Sequence, residues 1–304
     1  MNLRGVRYLR DFWQWLHLQW RLGLWRLCIR FRDSVTLTTR QGVFTLPTDV
    51  NDSISESLFT RREYEHDLVT RAMHVVLDIT GRARGTGTLI DIGANNGVIS
   101  IGMILNGEVE RGIAIEPDPR NFARLEHNVA QNHLDDRILC LNYAASDAEG
   151  SLAFELSSDN YGDHRVRRSL ATPDGAELFG ESKRPILKVE ADTLDSLIAG
   201  ADRNFSADVS VIWIDVQGYE GYVFMGAKQV LTSGAPVVSE IWPYGIQRAG
   251  MSREAFCGIV GEIWSAYWMQ RRGKFVKYPI EVFPTVFDEL GFDGAFDNVI
   301  FSRT

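Results

Sequence analysis

The chain has 304 residues, 45% of them hydrophobic, which is enough for one substantial core plus an appendage. Its formal net charge of −8 gives no general electrostatic reason to bind nucleic acid. No stretch reads as a bilayer span or as a secretory signal, and the three scattered cysteines, Cys28, Cys140 and Cys257, show neither metal spacing nor a disulfide framework, which points to a reducing, cytoplasmic setting.

The chain opens with a basic arm. Residues 1–32 hold seven arginines against one acid, Asp11, so residues 33–304 stand near −14, with 25 basic and 39 acidic residues. Trp13, Trp15, Trp20 and Trp25 lie in this arm, and Leu9, Phe12, Leu16, Trp20, Leu24 and Leu27 recur at helical spacing. A helix of this kind suits a membrane interface, and equally a docked position on an acidic body or a dimer face. Residues 34–48 alternate and turn at Gln41-Gly42, as a hairpin would. Residues 60–80 read as a helix with Leu68, Ala72, Val75, Val76 and Ile79 inward. The expected organisation is an arm over 1–32, a hairpin and helix over 33–80, and the main domain over 81–304.

The centre of the chain is Leu89–Gly97, an apolar strand that ends in a glycine turn and feeds a helix. This is the usual nucleotide cradle of an open α/β sheet. Gly93 and Gly97 allow close backbone approach, Ala94 keeps the turn small, and Asn95 tolerates a left-handed backbone. A dinucleotide fingerprint needs G-x-G-x-x-G, but here Asn95 and Val98 replace the second and third glycines. Asp91, just before the turn, opposes a phosphate and suits a cation. S-adenosylmethionine, with a sulfonium and no phosphate, fits these residues better. Glu116 closes the next strand at the distance where an acid grips ribose hydroxyls, with Pro117 after it. The third strand, over Arg137–Tyr143, ends near Ala145 and Asp147. There, small residues leave room for an adenine ring and an acid could accept from its amino group; a plain turn is the other reading of Asp147.

Beyond the third strand, the polar stretch 157–185 is expected to overhang the carboxyl ends of the sheet, with His164 in it. The strand Val209–Ile214 then delivers Asp215, followed by Gly218 and a helix that carries Glu220, and the strand from Pro236 ends in Glu240. Asp215, Glu240 and His164 are the candidates to take a proton from an acceptor. No metal site is assigned, although Asp215 with Glu240 could offer oxygen ligands. Residues 252–270 read as one amphipathic helix, and Asn298–Ser302 as a last strand, antiparallel at the sheet edge.

Asp91-Ile92-Gly93-Ala94-Asn95-Asn96-Gly97, Glu116-Pro117, Ile214-Asp215-Val216-Gln217-Gly218-Tyr219-Glu220 and Pro236 to Glu240, in this order, resemble the FkbM family of S-adenosylmethionine-dependent methyltransferases. The resemblance covers about residues 60–302 and leaves the arm outside it. It departs at Gln217, where the family usually has an acid. It implies a Rossmann-like, mostly parallel seven-stranded sheet with the last strand antiparallel. It also implies O-methylation of a hydroxyl on a sugar, glycan or natural-product acceptor. Two readings from other classes stand beside it: a catalytically silent, membrane-associated scaffold that binds S-adenosylmethionine, and an NAD-dependent sugar oxidoreductase.

Overall fold

The computed structural model describes residues 3–49, 52–157, 160–168 and 177–304. The side chains of residues 3–11 and Gln14, and residues 158–159 and 169–176 of the stretch expected over the site, lie outside the described residues. In chain order the elements are α1 (Leu3–Phe31), β1 (Ser34–Thr39), β2 (Gly42–Pro47), α2 (Ser53–Arg61), α3 (His66–Thr80), β3 (Thr88–Ile92), α4 (Val98–Leu105), β4 (Arg111–Ile115) and α5 (Pro119–Gln131). Next come β5 (Ile138–Leu141), β6 (Ala144–Ser146), β7 (Gly150–Glu155), β8 (Arg165–Val166), β9 (Ile186–Thr193), α6 (Leu194–Gly200), α7 (Arg203–Ser206) and β10 (Val209–Ile214). The rest are α8 (Glu220–Met225), β11 (Val237–Ile241), α9 (Pro243–Arg248), α10 (Arg253–Ile263), β12 (Ala266–Arg271), β13 (Lys274–Pro279), α11 (Pro284–Leu290) and β14 (Asp297–Ser302).

Eight strands form the main sheet in the order β13-β12-β14-β11-β10-β3-β4-β5. β5, β4, β3, β10 and β11 are parallel, and β14 runs antiparallel to β11. The strand order therefore reverses between β3 and β10, and the crevice at their carboxyl ends is where such sheets bind ligands. The parallel strands are buried on both faces, so they read as nearly unbroken apolar runs. Their side chains alternate between two cores. Ile90, Ile92, Ile212 and Ile214 pack with α8 and α10 residues such as Phe224 and Phe256, whereas Leu89, Val211 and Trp213 pack with Met73, Ile101 and Leu125.

Two expectations about this sheet need correction. It has eight strands rather than seven, because the span read as one helix over 252–270 ends at Ile263 and gives way to the hairpin β12-β13. The hairpin turns at Arg272 and Gly273, both with positive φ, the geometry of the tight turns that match strand twist. The last strand is not at the edge: β14 lies between β11 and β12, both antiparallel to it. The helix read over 60–80 also starts later, as α3 at His66, with residues 60–61 closing α2. Arg62 and Glu65 take left-handed backbones, φ 66° and 50°, and separate α2 from α3.

β6, β9, β7 and β8 form a separate four-stranded sheet. Its loops carry residues 160–168 and 177–184, which a buried ionic network fastens down. Arg165 reaches Glu155 at 2.8 Å and Glu181 at 3.3 Å, Arg167 reaches Glu155 at 2.8 Å, and the Tyr244 hydroxyl donates to Glu181 at 2.6 Å.

Candidate active site

The glycine turn is built on backbone that only particular residues allow. The Gly93 amide donates to the Ile115 carbonyl at 2.9 Å, and its φ is 86°. A Cβ there would lie 1.9 Å from the Asp215 carbonyl oxygen, so a side chain is excluded by space as well as by φ. Asn95 adopts φ 51°, and its amide donates to Glu116 Oε2 at 2.9 Å. Glu116 Oε1 accepts from the Asp118 amide, also at 2.9 Å, so this acid clasps the turn while each oxygen keeps a lone pair for a ligand. Burial pushes Glu116 up to about 8, and it pushes Asp91, which accepts from the Ser100 hydroxyl, up to about 7.

Above the turn lies a cavity of about 780 Å³, lined among others by Glu65, Asp91, Ala94, Asp215, Glu240 and Trp242. A narrow cleft of about 50 Å³ runs beside it, lined by Glu116, Pro117, Ala144, Ala145, Tyr161 and His164 among others. Gly93, Asn95, Gly162, Asp215 and Gln217 line both, so the two are the ends of one trough over the β3/β10 crevice.

Sheet register explains why the acids meet. Ile214 of β10 pairs with Ser239 of β11, and the next residues are Asp215 and Glu240. Gln217 Nε2 donates to Asp215 Oδ1 at 2.6 Å and to Glu240 Oε1 at 3.1 Å, bridging them. Burial raises Asp215; burial first and the neighbouring Asp215 second raise Glu240 well above the carboxylate range. Glu65, between α2 and α3, faces the same cavity and is pushed up to about 7 by burial and by Asp215. Among the described residues no group of three or more His, Cys, Asp and Glu side chains is arranged to hold a metal ion.

Four sequence-based roles change. His164 is not a free base over the site: it is 6% exposed, packed edge-on against Phe154 and Tyr161, and its Nδ1 accepts from the Ser157 amide at 2.9 Å. Burial pulls it down to about 4, with Asp118 opposing, so it is a neutral wall of the cleft. Asp147 lines neither part of the trough, because β6 leaves the main sheet and Asp147 pairs instead with Arg168. Gly97 also lies outside the lining; a Cβ there would meet Leu125, so it serves the packing of α4. Glu220, read from the sequence as an acid at the start of a helix after Asp215, is fully buried and accepts from the Val216 and Gly218 amides, clasping the second turn as Glu116 clasps the first.

The structure adds Glu65, Gln217 and Trp242 to the site. Trp242 is 4% exposed, lines the large cavity, and its indole Nε1 has no hydrogen-bond partner among the described residues. Its position two residues after Glu240 was the only sequence signal for it; Glu65 had none.

The sequence model described as the methyltransferase FkbM domain matches residues 91–274. Over 157 residues the chain is 28% identical to the 2-O-methyltransferase NoeI of Sinorhizobium fredii (strain NBRC 101917 / NGR234). That match covers 50% of this chain and 62% of the relative, less than two thirds of its length. Among solved structures, the methyltransferase FkbM from Methylobacillus flagellatus KT aligns with a TM-score of 0.43 at 15% identity, over 73% of this chain and 45% of that one. The M. capricolum TrmK, solved with S-adenosyl-homocysteine, aligns with a TM-score of 0.35 at 7% identity, over 77% and 68%.

Proposed function

This chain belongs to the FkbM methyltransferase domain family, and from that premise we propose that it moves a methyl group from S-adenosylmethionine to a hydroxyl of a sugar, glycan or related natural-product acceptor. The observation that carries this reading is the two-ended trough, a narrow cleft beside a large cavity, joined at Gly93, Asn95, Asp215 and Gln217.

The residues present fit the cofactor. Ala144, Ala145 and Pro117 leave a flat slot for an adenine ring, and Glu116 keeps lone pairs for ribose hydroxyls. Without a side chain, Gly93 lets the first turn pack directly against the Asp215 carbonyl, and Asp91 lines the cavity beside it. When bound, S-adenosylmethionine supplies a methyl on a sulfonium for in-line transfer. The protein's part is alignment and removal of one proton. Asp215 would take that proton from the acceptor hydroxyl. Gln217 holds Oδ1 of Asp215 and Oε1 of Glu240, and no described group donates to the second oxygen of either. Burial and the neighbouring Asp215 raise Glu240 and so favour its protonated form, in which it would donate to an acceptor oxygen.

Glu65, Asp91, Asp163, Asp215 and Glu240 outnumber Lys183 and Arg184 in the cavity lining, which favours a neutral, hydroxyl-bearing acceptor over an anionic one. The similar protein from Sinorhizobium is a 2-O-methyltransferase, which agrees with oxygen as the atom methylated. The test is isothermal titration with S-adenosylmethionine, S-adenosylhomocysteine and NAD. Heat from the first two and none from NAD is expected. Absence of binding by both sulfur ligands would overturn the proposal, and their binding without turnover on any hydroxylated acceptor would favour the scaffold.

A further inference from the structure

α1 is apolar on two opposite faces, and only one of them is covered. On the inner face Trp25 is fully buried against the Phe59 ring, 5.2 Å between centroids, and Arg21 donates to the Thr60 carbonyl at 2.9 Å. On the outer face Phe12, Leu16, Trp20, Leu27 and Phe31 follow one another at steps of four and seven residues, which places them on one side of a helix. Trp13 falls on the same side. Trp13 and Trp20 are each 61% exposed and Phe31 is 69% exposed. A Cβ on Gly23, also on this side, meets nothing within 4 Å. Arg26 and Arg30 flank the stripe and are exposed.

We propose that this outer face of α1 lies in the headgroup region of an anionic lipid surface and holds the acidic catalytic body beside it. Three observations select this occupant. The body's own surface is already met by the opposite face of the helix, through Trp25 and Arg21. A second copy would bring together two arms that each hold seven arginines against the single carboxylate of Asp11, so like charges would face each other. An anionic surface matches that charge, and Trp, Phe and Leu flanked by arginine are the residues that partition into an interface. Among the described residues no helix is long and apolar enough to cross a membrane, so α1 lies along the surface. Residues 33–304, near −14, are repelled by the same lipids, so the arm carries all the attraction and sets the orientation.

The experiment is co-sedimentation of the full chain with phosphatidylcholine vesicles, with and without phosphatidylglycerol. A triple variant, Trp13→Gln, Trp20→Gln and Phe31→Gln, is compared with the unaltered chain. These side chains are exposed, so S-adenosylmethionine titration and thermal melting report whether the body stays intact. Sedimentation with the anionic vesicles alone, release by salt, and a loss of about tenfold or more in the triple variant are expected. Arg26→Gln with Arg30→Gln should weaken binding and flatten its salt dependence. No sedimentation of the unaltered chain, or equal sedimentation of the triple variant, overturns the proposal. So does a concentration-dependent dimer that the triple substitution dissolves without any vesicle binding.

Discussion

Gln217 holds two carboxylates with one amide nitrogen, 2.6 Å from Asp215 and 3.1 Å from Glu240. Gln217→Glu would remove that donor and crowd a third carboxylate into a buried acidic site. We expect it to lower kcat/KM by about 10- to 100-fold and to move the acidic limb of the pH–rate profile upward, read in a methyl-transfer assay. An unchanged profile would mean that the Asp215–Glu240 pair is not the proton acceptor. Trp242 lines the cavity and its buried indole N–H has no partner among the described residues, so Trp242→Phe should raise acceptor KM by about 5- to 10-fold with kcat nearly constant if the acceptor engages that N–H. His164 differs in kind. His164→Ala removes the acceptor for the Ser157 amide and the packing between Phe154 and Tyr161, at a cost of about 1–3 kcal/mol in urea unfolding. The pH–rate limb should stay where it was, since a neutral buried imidazole has no proton to exchange there.

At the scale of elements, the segment over the site is held by charge rather than by apolar packing. Arg165 is buried between Glu155 and Glu181, so Arg165→Met removes the cation that joins them and leaves Glu155 to Arg167 and Glu181 to Tyr244. Breaking such a pair costs about 3–5 kcal/mol. Hydrogen exchange should show residues 160–168 losing protection while β3 and β4 keep theirs. Uniform loss across the sheet would show that the segment is part of the global folding unit. The turn after β3 has the opposite character, a steric constraint set by backbone against backbone. Gly93→Ala must move the Asp215 carbonyl, and it should abolish S-adenosylmethionine binding before it abolishes the fold.

For the whole molecule, the buried acids link stability to pH. Glu65 and Asp91 stand at about 7, and Glu116 and Glu220 at about 8, against ordinary carboxylate values in the unfolded chain. Because these values are raised on folding, the native state binds more protons between the two ranges. Their contribution is therefore fully present below the unfolded values and is lost as pH rises through 7 and 8. Tm should fall between roughly pH 5 and pH 8.5, and a cationic ligand should recover part of it. S-adenosylmethionine should bind more tightly as pH rises and release protons on binding, a release measurable by titration in buffers of different ionisation enthalpy. A Tm that is flat or rising over that range would contradict these assignments.

Much of the crevice was legible because buried parallel strands are continuous apolar runs and their ends are marked by the first polar residue. Thus Ile92 before Gly93, Ile115 before Glu116 and Ile214 before Asp215 could be read without coordinates, and so could the need for Gly93 and Asn95 at positive φ. The hairpin β12-β13 was not legible, because its turn uses Arg272 rather than Asn or Asp before Gly273, and because Phe256, Val260, Ile263 and Trp264 before it keep a helical period. Glu65 joined the site only because two left-handed residues bend the chain between α2 and α3 toward strand ends far along the sequence. The same holds for His164, whose residue type suits a base and whose burial denies it the role. By itself the sequence determined what local chemistry sets, the strand ends, the turns and the charge of the arm. Tertiary structure alone decided which of those groups share a cavity and which are sealed from water, because register and burial depend on contacts between segments that the linear order keeps apart.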